Sequence, residues 1–343
     1  MLANIANRVL FFVLATLAVS TALRAQSTPR ESLLILSKHD HTLAIVDPGT
    51  LKVLTRIPVG NDPHEVIASS DGKIAYVSNY GGGAFNTLAV VDLMAQKPLP
   101  AIDLGPLRGP HGLDFAGGKV WFTAEAAKAI GSYDPASSKL DWILGTGQNR
   151  THMIYVASDL KRIVTTNVSS GTVSIIEQSA ARVAAGSPAG PPAGDWNQTV
   201  IAVGGGSEGF DVSPDSKEIW VANAQDGSIS VIDFAQKKVI QSLPANVRGA
   251  NRLKFTPDGK LVFVSTLAGP DVVVFDAASR REAKRIPVGR GGAGILMQPD
   301  GSRAFIACTP DNYVVAIDLK SLEITARIDA GTQPDGLAWA VQR

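Results

Sequence analysis

Short apolar runs, each closed by an acidic residue, recur along the chain: Ala-Ile-Val-Asp ends at Asp47, Ala-Val-Val-Asp at Asp92 and Gly-Ser-Tyr-Asp at Asp134, and comparable runs end at Glu177, Asp233, Asp276 and Asp318. The intervals between these acids are 45, 42, 43, 56, 43 and 42 residues, so one unit of about 43 residues occurs seven times, with one insertion in the fourth interval. In the second unit the apolar positions fall into four short segments: one opens at His64, one covers 74–79, one ends at Asp92 and one runs up to Gly105. Turn signals separate the first two segments, as Asp71-Gly72 here and as Pro214-Asp215, Pro257-Asp258 and Pro299-Asp300 in later units. Each unit therefore reads as a four-stranded antiparallel meander.

Four strands of this length cannot bury both of their faces alone, and stacking neighbouring sheets around an axis supplies the missing core. The expected fold is all-β, a seven-bladed β-propeller of four-stranded antiparallel blades. The first unit starts at Leu33 without an innermost strand, while residues 336–340 supply a spare one, so the C-terminal strand is expected to close the ring. Helical repeats of similar period are excluded, because the runs are β-branched and alternate with period two.

Ahead of the first unit, residues 9–22 are apolar, follow Arg8 and lead to small residues around Ala22 and Ala25. This is the pattern of a secretory signal peptide over residues 1–25. The run is shorter than the roughly 20 residues of a spanning helix. A periplasmic or extracellular protein is expected, with residues 26–343 forming a single propeller domain that has no membrane span after cleavage. With 32 Lys and Arg against 31 Asp and Glu, nothing recommends a nucleic-acid partner, and a monomer is expected. Cys308 is the single cysteine, which excludes an intrachain disulfide, and its apolar strand suggests a buried thiol.

The segments Ile-Ala-Tyr-Val-Ser-Asn ending at Asn79 and Ile-Trp-Val-Ala-Asn ending at Asn223 resemble the repeat of the YVTN (YncE-like) β-propeller family, although the strands ending at Ala124 and Cys308 lack the final Asn. The resemblance covers essentially the whole of residues 26–343. It implies a seven-bladed propeller, often exported, in a superfamily that includes lactonase-like propellers and the haem d1-binding propellers of nitrite reductases, and it implies no single activity.

Aligned on the turns, the residue opening each innermost strand reads Asp335, His64, His111, His152, Glu208, Asn251 and Ala293 around the ring. Three of the chain's 5 histidines thus share one position in consecutive blades, flanked by two acids. Imidazoles beside a carboxylate suit a divalent transition metal, making His64, His111, His152 and Glu208 a candidate ligand set. The same set could relay protons, or the imidazoles could simply bond to neighbouring blades.

Arg108, Arg150, Arg252 and Arg290 are expected in loops on the same face, either as bidentate donors to a small anionic ligand or as partners of acids such as Glu125 and Glu208. Loops between second and third strands add His39, Asp40 and His41, then Tyr80 with three glycines at 81–83, then Glu125. Neither this glycine run nor the one at 204–206 leads into a helix, so no nucleotide cofactor is expected. The insertion at 178–197, rich in Pro, Gly and Ala, is expected to be a solvated loop joining outer strands on the opposite face. No nucleophile, base and orienting group can be assembled together. The expected function is therefore binding of a small anionic ligand or a protein partner at the His-lined face. The alternatives are a lactonase-like hydrolase, a metal- or cofactor-assisted redox protein, and an inert cell-surface scaffold.

Overall fold

The computed structural model describes residues 27–179 and 195–343, so the leader read at 1–25 and most of the fourth-unit insertion lie outside the described residues. Seven four-stranded antiparallel sheets account for the described strands. Blades two to seven each use four consecutive strands. In blade two these are Pro63–Ala68, Ile74–Asn79, Thr87–Asp92 and Lys97–Asp103, from the axis outwards. Blade one combines Glu31–Ser37, Thr42–Asp47 and Lys52–Pro58 with Pro334–Val341, which pairs on the inside with Glu31↔Val341, Leu33↔Trp339 and Ile35↔Leu337 in register. Each innermost strand packs against that of the next blade, and the seventh packs against the first, so the ring is closed. No helix of the described residues is long and apolar enough to cross a membrane.

The continuous apolar runs follow from burial on both faces. Period-two alternation sends Leu34, Leu36, Leu43 and Ile45 of blade one against Val66, Val77 and Val91 of blade two. The intervening Leu33, Ile35, Ala44 and Val46 face Phe305, Val314 and Ala316 of blade seven. Every blade is in this way half of two cores, and none has a solvated face to mark with polar residues.

The strand-ending acids have a structural cause. Six of them, Asp47, Asp92, Asp134, Asp233, Asp276 and Asp318, accept a backbone N–H two or three residues on at 2.7–3.1 Å, shaping the hairpin into the outer strand. The seventh, Glu177, has a side chain one methylene longer and pairs with Lys237 instead. It stands in the one blade that carries the insertion. That insertion is narrower than the sequence suggested, because Gln178↔Trp196 and Glu177↔Asn197 are ladder pairs and only 179–195 connect the strands.

Candidate functional site at the channel mouth

All seven innermost strands enter the ring in the same way. The residue two places before each ring position has a left-handed backbone, with φ between +48° and +73°. Gly109, Gly206, Gly249 and Gly291 meet this requirement without strain, whereas Asp62, Arg150 and Gln333 meet it with a side chain attached. A hydroxyl near the end of the second strand then pins the ring. Ser78, Thr123, Thr166 and Ser265 each accept the N–H of the residue after their own blade's ring position, at 2.9–3.3 Å. Each donates to the ring carbonyl of the next blade, that of His111, His152, Glu208 or Ala293, at 2.7–3.0 Å. The ring residues are thus held through their backbones, and their side chains are left to converge on the axis.

Every ring residue found by alignment, namely Asp335, His64, His111, His152, Glu208, Asn251 and Ala293, lines one cavity of about 380 Å³ at the channel mouth. The imidazoles of His64 and His111 lie 4.9 Å apart, and those of His111 and His152 3.9 Å apart, between ring centres. His64 Nε2 lies 3.1 Å from Asp62 Oδ1, and its Nδ1 lies 3.5 Å from Asp335 Oδ2, which also faces Lys38 Nζ at 3.2 Å. His152 is buried between two carboxylates: Nδ1 contacts Glu125 Oε1 directly, and Nε2 lies 2.9 Å from Glu208 Oε2 but off the line of a hydrogen bond. Tyr80 donates its hydroxyl hydrogen to the other oxygen of Glu125, and Arg150 reaches Glu125 at 3.5 Å and Glu208 at 3.7 Å. His111 is only 3% exposed, and its Nδ1 has no hydrogen-bond partner.

These surroundings separate the two buried imidazoles. Burial, reinforced by the charges of His152, His64, Arg252 and Arg150, pushes His111 well below the usual histidine range, so it is neutral. Burial opposes charge on His152 as well, but its bond to Glu125 and the nearby carboxylate of Glu208 overcome that penalty and raise its pKa. Glu208 feels burial too, yet His152, Arg150 and Arg252 bring its carboxyl down to about 2. Burial and the adjoining carboxylate of Glu125 keep the Tyr80 phenol protonated.

One residue deeper than the ring, an ion pair spans the channel. Arg252 of blade six forms an ion pair with Glu65 of blade two across the axis, and both side chains are largely buried. Arg252 was expected in a loop. It lies instead within the innermost strand Ala250–Phe255, where its guanidinium also donates to Asn251 Oδ1. Arg150 sits where the sequence suggested, at the lip. Arg290 is tied to Asp311 at 2.7 Å outside the cavity, and Arg108 is exposed and does not line it. Among the described residues the donors that converge closely enough to hold a metal ion are His111, Glu125 and His152, whereas the sequence suggested His64, His111, His152 and Glu208. Sequence reasoning treated Glu125 as a rim charge and overlooked Lys38 and Glu65. The readable signal for the site was the Ser or Thr that recurs next to last in the second strands.

Residues 193–303 match the YNCE-like β-propeller family. No curated protein matches the sequence. Among solved structures, a functionally unknown protein from Desulfotomaculum acetoxidans superposes with a TM-score of 0.72 at 15% identity, over 91% of this chain and 99% of its own. A candidate 6-phosphogluconolactonase from Bacteroides fragilis gives 0.72 at 16% identity, over 92% and 99%. The dihydro-haem d1 dehydrogenase NirN, in complex with DHE, gives 0.62 at 17% identity, over 92% and 76%. At these identities the likeness speaks for the fold alone, a seven-bladed β-propeller, and the resemblance to the YNCE-like family is carried by residues 193–303.

Proposed function

We propose that this propeller binds a small organic anion with an apolar body in the mouth of its channel. The observation that carries this reading is the polarity of the cavity wall. Lys38, Arg150 and Arg252 line it, each beside an acid but with Arg150 held only loosely, while blades six and seven contribute Leu267, Ala293 and Pro310. Leu267, 55% exposed, stands on this apolar side of the wall. The volume of about 380 Å³ falls at the lower end of the range for small-molecule sites. Arg150 supplies the adjustable cation, since its side chain is 42% exposed and its contacts to Glu125 and Glu208 are long enough to be exchanged for a ligand carboxylate or phosphate.

The test is calorimetric titration with aliphatic and aromatic carboxylates and phosphate monoesters, beside inorganic phosphate and acetate. At least one anion with an apolar body is expected to bind more tightly than the inorganic or short-chain controls. Arg150→Ala should weaken that binding about 10-fold or more, in line with loss of a charge-assisted hydrogen bond. An unchanged affinity in a folded Arg150→Ala variant, or no binding across the panel, would reject the reading.

A further inference from the structure

We propose that His111, Glu125 and His152 form a binding site for a divalent transition-metal ion of the zinc class, at the junction of blades three and four. One donor atom from each residue lies within 4.8 Å of the other two, and all three residues are buried. A tetrahedral ion with bonds of about 2.1 Å needs its donors about 3.4 Å apart, so small side-chain rotations complete the site. The second observation is independent of this clustering: His111 Nδ1 is buried in the cavity wall without any hydrogen-bond partner. An orphaned buried imidazole nitrogen is costly, and coordination to an ion would satisfy it.

The groups that metal ligands require around them are already in place. With Nδ1 of His152 facing Glu125, its Nε2 lies 2.9 Å from Glu208 Oε2, so a carboxylate stands behind the ligating imidazole and needs only to turn into line to fix its orientation. The Tyr80 hydroxyl and Arg150 hold the far oxygen of Glu125. The ion would replace the proton through which His152 and Glu125 now meet. Two imidazoles and one carboxylate leave a fourth position, the arrangement of zinc sites that keep an open coordination place rather than a closed structural one, and both imidazoles line the cavity. This inference does not rest on the anion reading, because the ion needs none of the apolar wall and the anion needs no ion.

The experiment uses chelator-treated full-length protein titrated with Zn2+ alone by calorimetry, and with Co2+ followed by visible absorption. One ion per chain is expected, with Co2+ bands of four-coordinate intensity. His111→Ala and Glu125→Gln should each weaken Zn2+ binding at least 100-fold. Glu208→Gln should weaken it about 10-fold, as loss of a group behind a ligand does. The exposed pair His39 and His41 is a rival zinc binder, so a His39→Ala/His41→Ala variant is measured alongside and should keep the wild-type affinity. Should His111→Ala fail to fold by circular dichroism, the histidine ring signals of the wild type read the same contact, and Zn2+ should shift those of His111 and His152. The proposal is overturned by an absence of stoichiometric binding, by binding that survives in folded His111→Ala, or by histidine signals that stay in place. Any of these results leaves the anion titration to stand or fall by itself.

Discussion

Arg150 occupies a backbone position that four other blades give to glycine, and it holds that left-handed conformation in order to put a guanidinium beside Glu125 and Glu208. A non-glycine residue there costs about 1 kcal/mol or more. Both Arg150→Ala and Arg150→Gly lose the guanidinium, but only glycine relieves the backbone. Denaturant unfolding should therefore find the glycine variant more stable than the alanine variant by about 1 kcal/mol. The charges beside it set the response to pH. Glu208, lowered from 4.5 to about 2, contributes stability that is complete above 4.5 and is lost as pH falls towards 2. His152, raised above 6.5, contributes in the opposite sense: its share is complete below 6.5 and is lost as pH rises through its elevated value. The melting temperature should peak between these limits, and Glu208→Gln should flatten both flanks of the profile. A Glu208→Gln profile that keeps both slopes would show that the His152–Glu208 contact contributes nothing.

The elements explain why some of this was legible. Alternation, turns and strand-ending acids are local, so the strands and the ring positions could be counted from the sequence alone. Whether Glu125 turns inward to His152, or Arg252 reaches across to Glu65, depends on blades brought together by closure, and no spacing encodes it. A quieter local signal was available: ring residues followed by glycine, at Gly112, Gly209, Gly294 and Gly336. There a β-carbon would fall 2.2–2.5 Å from the ring carbonyl of the next blade, so these blades approach through bare backbone. Gly209→Ala should destabilise the fold by about 3 kcal/mol, the scale of other backbone clashes in packed interiors, and thermal melting measures it. An unchanged melting temperature would mean that blades five and six slide apart at little cost. The fourth-blade connection should behave oppositely. Because the ladder is intact to Gln178↔Trp196, replacing 180–194 with the Asp-capped turn of another blade should leave the melting temperature within a few degrees.

At the scale of the molecule, stability is shared between neighbours in a circle, since each hydrophobic cluster belongs to two blades. Removing residues 334–343 would take the innermost strand from blade one and strip Leu337 and Ala338 from two of those clusters. Such a truncation is expected to lose cooperative unfolding, as read by calorimetry, and not merely to shift its midpoint. The sequence disclosed this closure through one missing strand at the start and one spare strand at the end. What it could not disclose was the Arg252–Glu65 pair that spans the channel beneath the mouth.

The pairing of Glu31 with Val341 also determines how the ring answers to force. The two strands are antiparallel neighbours, and their outer ends lie side by side. A pull applied through residues 31 and 341 loads the ladder one hydrogen bond at a time, as a zip is opened, instead of shearing all of its bonds together. The strand pair that completes the propeller is therefore also its mechanically weakest seam. Stretched between its ends, the molecule should open first at blade one, at low force, while the other six sheets remain stacked.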